Sequence, residues 1–464
     1  MSQKSDPRDE VEVGSRRRVM GVVVLGSMSL SVVVSAVVLL TTLTGCDAAS
    51  CTEVQRNYDR TVNREAGLAE LTETGAPHLA MAIRLDLLND LSAGLIDTAV
   101  GEALAKRGSL RVSGNQTVDY AMSSTGANLR LDASSACDTC LRIRGDIDGE
   151  AAVTLPVVGR QSSPLTGSID WTMPLAVGRD DDGTVAIFLD TAEALRMGVP
   201  NLQGRVDALP DTWSNLVAPA LIAELADEVA KSVPPIRLIG YEMPSLGLRG
   251  LEMTPSLFAF DSNANALVLG VRTNLPVTQS ESSRADLMSA LALSDGQNIA
   301  LGVAPGAVME AVRLGMQQNR VPRRYNLAGN AQRDGTAHAV VDNFRVGSHG
   351  GAADALAMGL DFRLFNFGSG WGCFSMDGNS RSRLAINNGR LELDVEEVEF
   401  TGSGIANAAN WASAQFIQHT QGVVAHTLND DIVFSPDVGM SLRGDRVSTA
   451  AGLLVLRGQG APTN

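Results

Sequence analysis

Apolar residues along this chain change their period at two places. Leu79, Met81, Ile83 and Leu85 alternate with their neighbours, and Leu87, Leu91, Leu95 and Ala99 then recur at every fourth residue. A period of two predicts a strand, and recurrence at every third or fourth position predicts one face of a helix. The same change follows Ile299, Leu301 and Val303, where Val308, Val312 and Met316 take up helical spacing after Pro305. Each start leads into short alternating runs separated by turn signals. In the first half these are residues 129–131, 141–147, 169–177 and 185–189, with an acidic turn at 180–183; in the second they are 356–367, 384–386 and 391–398. A second helical stripe then follows in each half. Trp213, Leu216, Val217, Ala220, Leu221, Leu225 and Val229 form the first, and Trp411, Phe416, Val423, Val424 and Leu428 form a rougher second. Each half closes on a predicted strand pair, 246–250 with 267–270 and 440–444 with 453–456.

The order of elements in the two halves is the same, which predicts one unit used twice. The tryptophans keep the alignment: Trp171 lies 42 residues before Trp213, Trp371 lies 40 before Trp411, and the chain has no others. The units are placed at 76–275 and 296–464, joined by a polar linker at 276–295. The fold class is α+β, two tandem units in which antiparallel strands accompany long helices.

The first 45 residues do not read as part of either unit. Arg16, Arg17 and Arg18 precede an uncharged apolar stretch over 19–43, which closes on Leu43-Thr44-Gly45-Cys46. Positive cluster, apolar stretch and small residues form an export signal in order, and the last four residues resemble the lipobox of bacterial lipoproteins. That resemblance implies a signal peptide over 1–45, lipid attachment at Cys46, and a body in the cell envelope that faces periplasm or cell surface. It leaves inner and outer membrane open. Residues 46–75, polar and without sustained apolar periodicity, are expected to be a lipidated tether.

The duplicated order of strand, helix, antiparallel strands, second helix and strand pair resembles the tubular lipid-binding (TULIP) superfamily, which includes the bactericidal/permeability-increasing protein. Residues 234–250, with Pro234-Pro235 at their start, followed by an alternating strand and the Asp261-Ser-Asn turn, look most like its bacterial members. The resemblance implies two barrels end to end, each a highly curved sheet wrapped around long helices. It also implies an apolar groove that accepts acyl chains. On that reading Leu87, Leu91, Leu95, Leu221, Leu225 and Val229 in the first unit, and Val423 and Leu428 in the second, are candidates to line the ligand. The same stripes suit a filled core, because folding requires them whether or not a lipid binds.

Charge and chemistry narrow the function further. Cleavage before Cys46 removes five Lys/Arg and four Asp/Glu and moves the net charge from −15 to −16. An acidic body argues against nucleic acid as a partner, since both are negative. Aromatic residues make up only 4% of the chain, so aliphatic side chains must fill the core. Nucleophile elbow, His-Glu-x-x-His, phosphate loop and dinucleotide fingerprint are all missing, so no catalytic residue, cofactor or metal is assigned. His419 and His426 share a helical spacing but have no third ligand beside them, and the acidic turn lacks calcium-loop spacing. Besides Cys46 the chain has Cys51, Cys137, Cys140 and Cys373. These allow three connectivities, and Cys137 with Cys140 is read as a local structural disulfide. The expectation is a membrane-anchored, non-catalytic protein that binds and possibly transfers a lipid or other apolar molecule. The alternative is an adaptor with filled barrels that binds envelope proteins, whose identity the sequence does not reveal.

Overall fold

The computed structural model describes residues 51–64, 68–72, 75–112, 116–137, 139–155, 159–179, 185–206, 211–241, 248–277, 282–325, 331–348, 355–367, 373–401 and 439–463. Cys46, Val423, Leu428, His419, His426, the acidic turn at 180–183 and the second helical stripe of the second half lie outside them.

Helix α1 (Cys51–Arg64) comes first, then β1 (Leu79–Arg84) and α2 (Leu85–Leu104), so the change of period at Leu85 is the strand-to-helix boundary. Next come β2 (Arg107–Val112), β3 (Gln116–Ala133), β4 (Cys140–Leu155), β5 (Gly159–Arg179) and β6 (Val185–Leu189). The short helix α3 (Thr191–Met197), β7 (Asn201–Val206), the long helix α4 (Asp211–Ser232), β8 (Ile236–Tyr241), β9 (Met253–Asp261) and β10 (Ala266–Thr273) follow. After α5 (Arg284–Ala290), β11 (Ile299–Val303) leads into α6 (Pro305–Gln317). Pro305 starts that helix, where a missing N–H costs no hydrogen bond. The remaining strands are β12 (Arg324–Tyr325), β13 (Ala337–Ser348), β14 (Ala355–Asn366), β15 (Phe374–Asn387), β16 (Arg390–Thr401), β17 (Gly439–Ala450) and β18 (Leu453–Thr463).

The fold is α+β, with antiparallel sheets that curl into half-barrels. One sheet runs β2-β3-β4-β5-β6-β8, and its strand β5, 21 residues long, also pairs with β7. Another runs β12-β13-β14-β15-β16. The third sheet has six strands, β17-β18-β11-β1-β10-β9. In it the opening strands β1 and β11 lie side by side, Met81 opposite Leu301, and each is backed by a closing strand pair. Both faces of this sheet are covered, which is why its strands read as nearly unbroken apolar runs. Small residues, Ala80, Ala82 and Ala300, share one face with Val268 and Val455 and pack against Leu287 and Leu291 at α5 and Ala307, Ala311 and Leu314 of α6. Met81, Ile83, Leu269, Leu301 and Leu456 take the other face and are 5% exposed or less. Gly302 shows how tight the small face is, since a Cβ there would stand 3.0 Å from Leu453 and 3.4 Å from Leu291.

Three local results depart from simple sequence reading. The first closing pair is formed by β9 and β10, so its first strand begins at Met253 and not within 246–250. Arg249 and Gly250 are a turn instead, with Gly250 at φ +76, a conformation that suits glycine. Within 276–295, Ser283 and Asp286 form a reciprocal capping box that starts α5, and Leu287 and Ala290 bury its inner side. Within 46–75, α1 docks on the last curled sheet. Val54, Tyr58, Thr61 and Val62 make one stripe against Val340, Phe365 and Phe367, and Cys51 is disulfide-bonded to Cys373. The second disulfide joins Cys137 to Cys140.

Two buried histidines mark the edges of this packing. His78 Nδ1 accepts from the Thr273 N–H at 3.1 Å and meets its hydroxyl at 2.7 Å, which joins β1 to the end of β10. Burial, with Arg272 nearby, pushes its imidazole down to about 4. His338 stacks on Phe367 at 4.3 Å and meets the Tyr58 ring at 4.7 Å. Burial, with Arg324 and Arg323 beside it, lowers this imidazole to about 4 as well.

Candidate functional site

Residues 216–223 of α4 read Leu-Val-Ala-Pro-Ala-Leu-Ile-Ala, eight positions without one polar side chain. A helix apolar on all sides is normally buried all round, and this one is not. Its inner side is closed: Val217, Leu221, Leu225 and Val229 are 2% exposed or less. On its outer side Pro219 and Ala223 are exposed and Ile222 is half-buried. These residues face β7, and the two elements form an open groove of about 760 Å³. Val199, Pro200, Leu202 and Gly204, with the polar Asn201 and Gln203 between them, make its other wall, Ala218 and Ala226 also line it, and no charged residue does.

Local sequence explains why the groove stays open. Gly204 of β7 stands opposite Gly167 of β5, and a Cβ on Gly167 would meet the Gln203 carbonyl at 2.5 Å. The pair brings backbone where side chains would otherwise fill the seam. Ile222 then reaches over Gly204, its Cδ1 3.7 Å from where a Cβ would stand. Pro219 lacks the N–H that would bond one turn back, so the helix is held loosest on the groove side. Val199, which lines the groove, is 52% exposed and Met197, two residues earlier in the chain, 46%, two of the three large apolar side chains exposed among the described residues. At the far end of α4, Glu228 meets Lys106 at 3.0 Å, which holds its carboxyl below the usual range. A volume of this order, apolar walls and few polar groups are the features of a small-molecule site, which typically holds about 300–1,000 Å³.

The residues singled out from sequence fall elsewhere. Leu221, Leu225 and Val229 are on the buried side of α4, facing away from the groove. Leu87 and Leu91 of α2 are core, with Leu87 packed against the central sheet at Gly460, and Leu95 is half-buried. Val423 and Leu428, like Cys46, are outside the described residues. The groove residues Ile222, Ala223 and Leu202 were not singled out. Their signal was there in the loss of a polar face over 216–223, but a search for the strongest stripe selects the buried side.

Two other recesses are smaller. A recess of about 30 Å³ where Val177 and Ile187 meet Met81, Leu257 and Leu269 is apolar. A polar recess beside α1 holds Arg313 and Arg363, and both are paired, Arg313 with Glu310 at 2.7 Å and Arg363 with Asp342 at 2.6 Å. Among the described residues no three His, Cys, Asp or Glu side chains converge as a metal site, and no helix is long and apolar enough to cross a membrane.

No family model and no curated protein matches this chain. Among solved structures, one of lipopolysaccharide binding protein is similar at a TM-score of 0.38 and 12% identity, covering 83% of this chain and 99% of that one. P47 from Clostridium botulinum A2 is similar at a TM-score of 0.32 and 10% identity, covering 82% and 97%. At TM-scores this low neither likeness assigns a fold or an activity to this chain.

Proposed function

We propose that this chain is a lipid-anchored protein of the cell envelope that binds an apolar ligand, such as a lipid's acyl chain, in the groove between α4 and β7. The groove itself carries the reading: about 760 Å³, uncharged, open, and walled by an apolar helix face that no described residue covers. Burying hydrocarbon there recovers about 25 cal/mol per Å². An open seam lets a ligand enter past Val199 without a gate, which suits exchange with a membrane and hence transfer. Anchoring through Cys46 rests on the signal and lipobox alone. The reading keeps two units, 76–275 and 296–464, and is supported by the order of the central sheet, which runs outward from β1 and β11 through a strand pair on each side. No catalytic role is proposed.

One observation favours the adaptor as a second reading. Leu221, Leu225 and Val229 are buried, so the inner face of α4 offers no room to a ligand. The groove would then seat a protein segment. The test is native mass spectrometry of residues 47–464 purified from a bacterial periplasm, followed by organic extraction. One apolar molecule per chain, lost in Ile222→Asp, is the expected result. A clean apoprotein that also refuses added phospholipids and fatty acids would sink the lipid reading and leave the adaptor.

A further inference from the structure

Past the end of α6 the chain turns through Asn319, at φ +58, and enters β12. Between 320 and 333 it places Arg320, Arg323, Arg324 and Arg333, in a chain whose net charge is −15. Elsewhere arginines grip carboxylates, as Arg142 does with Asp170, Arg345 with Asp361 and Arg363 with Asp342. Among the described residues no carboxylate lies within ion-pairing distance of these four. The intervening residues 326–330 carry no charge.

Arg323, Arg324 and Arg333 line an open recess of about 580 Å³ together with Pro322, Ala331 and Gln332. Its frame is fixed by backbone. The Gln332 N–H donates to the Arg324 carbonyl at 3.0 Å and the Ala339 N–H to the Arg323 carbonyl at 2.9 Å. Arg324 Nη1 donates to the Arg333 carbonyl at 3.2 Å, and the buried Tyr325 hydroxyl donates to the Pro322 carbonyl at 3.0 Å. Nε of Arg323 is buried without a hydrogen-bond partner. Asp334 follows Arg333 but is ion-paired to none of the four among the described residues, so the guanidinium groups repel each other and an anion among them relieves that repulsion. Their planar forks match the oxygens of a phosphoryl group in a way that a point charge does not.

We propose that this recess binds a phosphoryl oxyanion, carried by a soluble phosphate or by the head group of a lipid. The site is separate from the α4–β7 groove and does not depend on what fills it. The test is calorimetric titration of the full chain in a neutral detergent with two probes, inorganic phosphate and dihexanoyl phosphatidic acid. Saturable binding that weakens with salt is expected, with a loss of about tenfold or more in Arg333→Ala and a smaller loss in Arg333→Lys. Arg324→Ala is read beside them, because Arg324 also braces the loop and Arg333 does not. Equal affinity for the two probes identifies a free phosphate; an affinity about tenfold higher for the lipid identifies a head group. No saturable binding of either probe at millimolar concentration, or binding unchanged in both alanine variants, overturns the proposal. Groove occupancy by mass spectrometry stays as in the parent chain in every variant.

Discussion

Helix α4 buries Val217, Leu221, Leu225 and Val229 against the first curled sheet and still shows Pro219, Ile222 and Ala223 on its outer side, whereas α1 buries only Val54, Tyr58 and Thr61 against the last one. Burying an aliphatic side chain contributes about 1.5–3 kcal/mol. α4 is therefore held by packing and has apolar surface to spare. α1 has little, and the Cys51–Cys373 link spans 322 residues of chain to keep it in place. Excess apolar surface leaves a site open to ligands, while a deficit calls for a covalent latch. The two helices thus solve opposite problems with the same helix-on-sheet geometry.

The largest effect that would sharpen this contrast lies on the two sides of α4. Leu225→Ala should cost about 2–5 kcal/mol in urea unfolding, as expected for a cavity in a closed core. Ile222→Ala should cost about 1 kcal/mol or less, because the side chain is half-exposed. Equal costs would mean that the groove side is also core. Next comes the latch. Replacing Cys51 and Cys373 together by Ser should cost about 2–4 kcal/mol and release the α1 amides to hydrogen exchange. Amides that stay protected would show that Val54 and Tyr58 suffice alone.

A smaller effect depends on pH. His78 and His338 both titrate at about 4 in the folded chain, below the usual 6.5. The unfolded chain therefore takes up the protons first. Stability is complete above pH 6.5 and falls as pH drops towards 4, by up to about 3 kcal/mol for each histidine. His338→Phe keeps a ring between Tyr58 and Phe367 and should remove about half of that fall in denaturant midpoint; an unchanged fall would assign it to other groups. Least of all, Lys106→Ala should cost no more than about 1 kcal/mol, since the Lys106–Glu228 pair is partly exposed. A larger loss would mean that this pair positions α4.

Elements with many apolar positions were legible in the sequence, and those with few were not. β1 with α2 and β11 with α6 fall where the period changes, since at each an alternating run of three or four apolar residues meets a helical run of the same size. α1 escaped because Val54, Tyr58 and Val62 are only three positions in a polar helix, and its partner Cys373 is chosen by the fold. Pairing across the centre escaped too, because nothing in residues 79–84 names 299–303 as a neighbour. The groove was half legible: α4 was found, but the residues that line it are those a core search ranks last.

The position of β11 has a consequence for how the chain is made. β11 has two neighbours, β1, which precedes it, and β18, which begins at Leu453. At roughly 5–20 residues per second, the wait for β18 lasts some ten to thirty seconds of synthesis. Through that interval Ile299, Leu301 and Val303 form an apolar edge with half of its hydrogen bonds unmade, the kind of edge that recruits other chains. A nascent chain of this design therefore needs shelter until β18 is made. A stop codon just before Leu453 would remove β18, a strand of only 11 residues, and leave β11 as an open seam, with aggregation as the expected outcome.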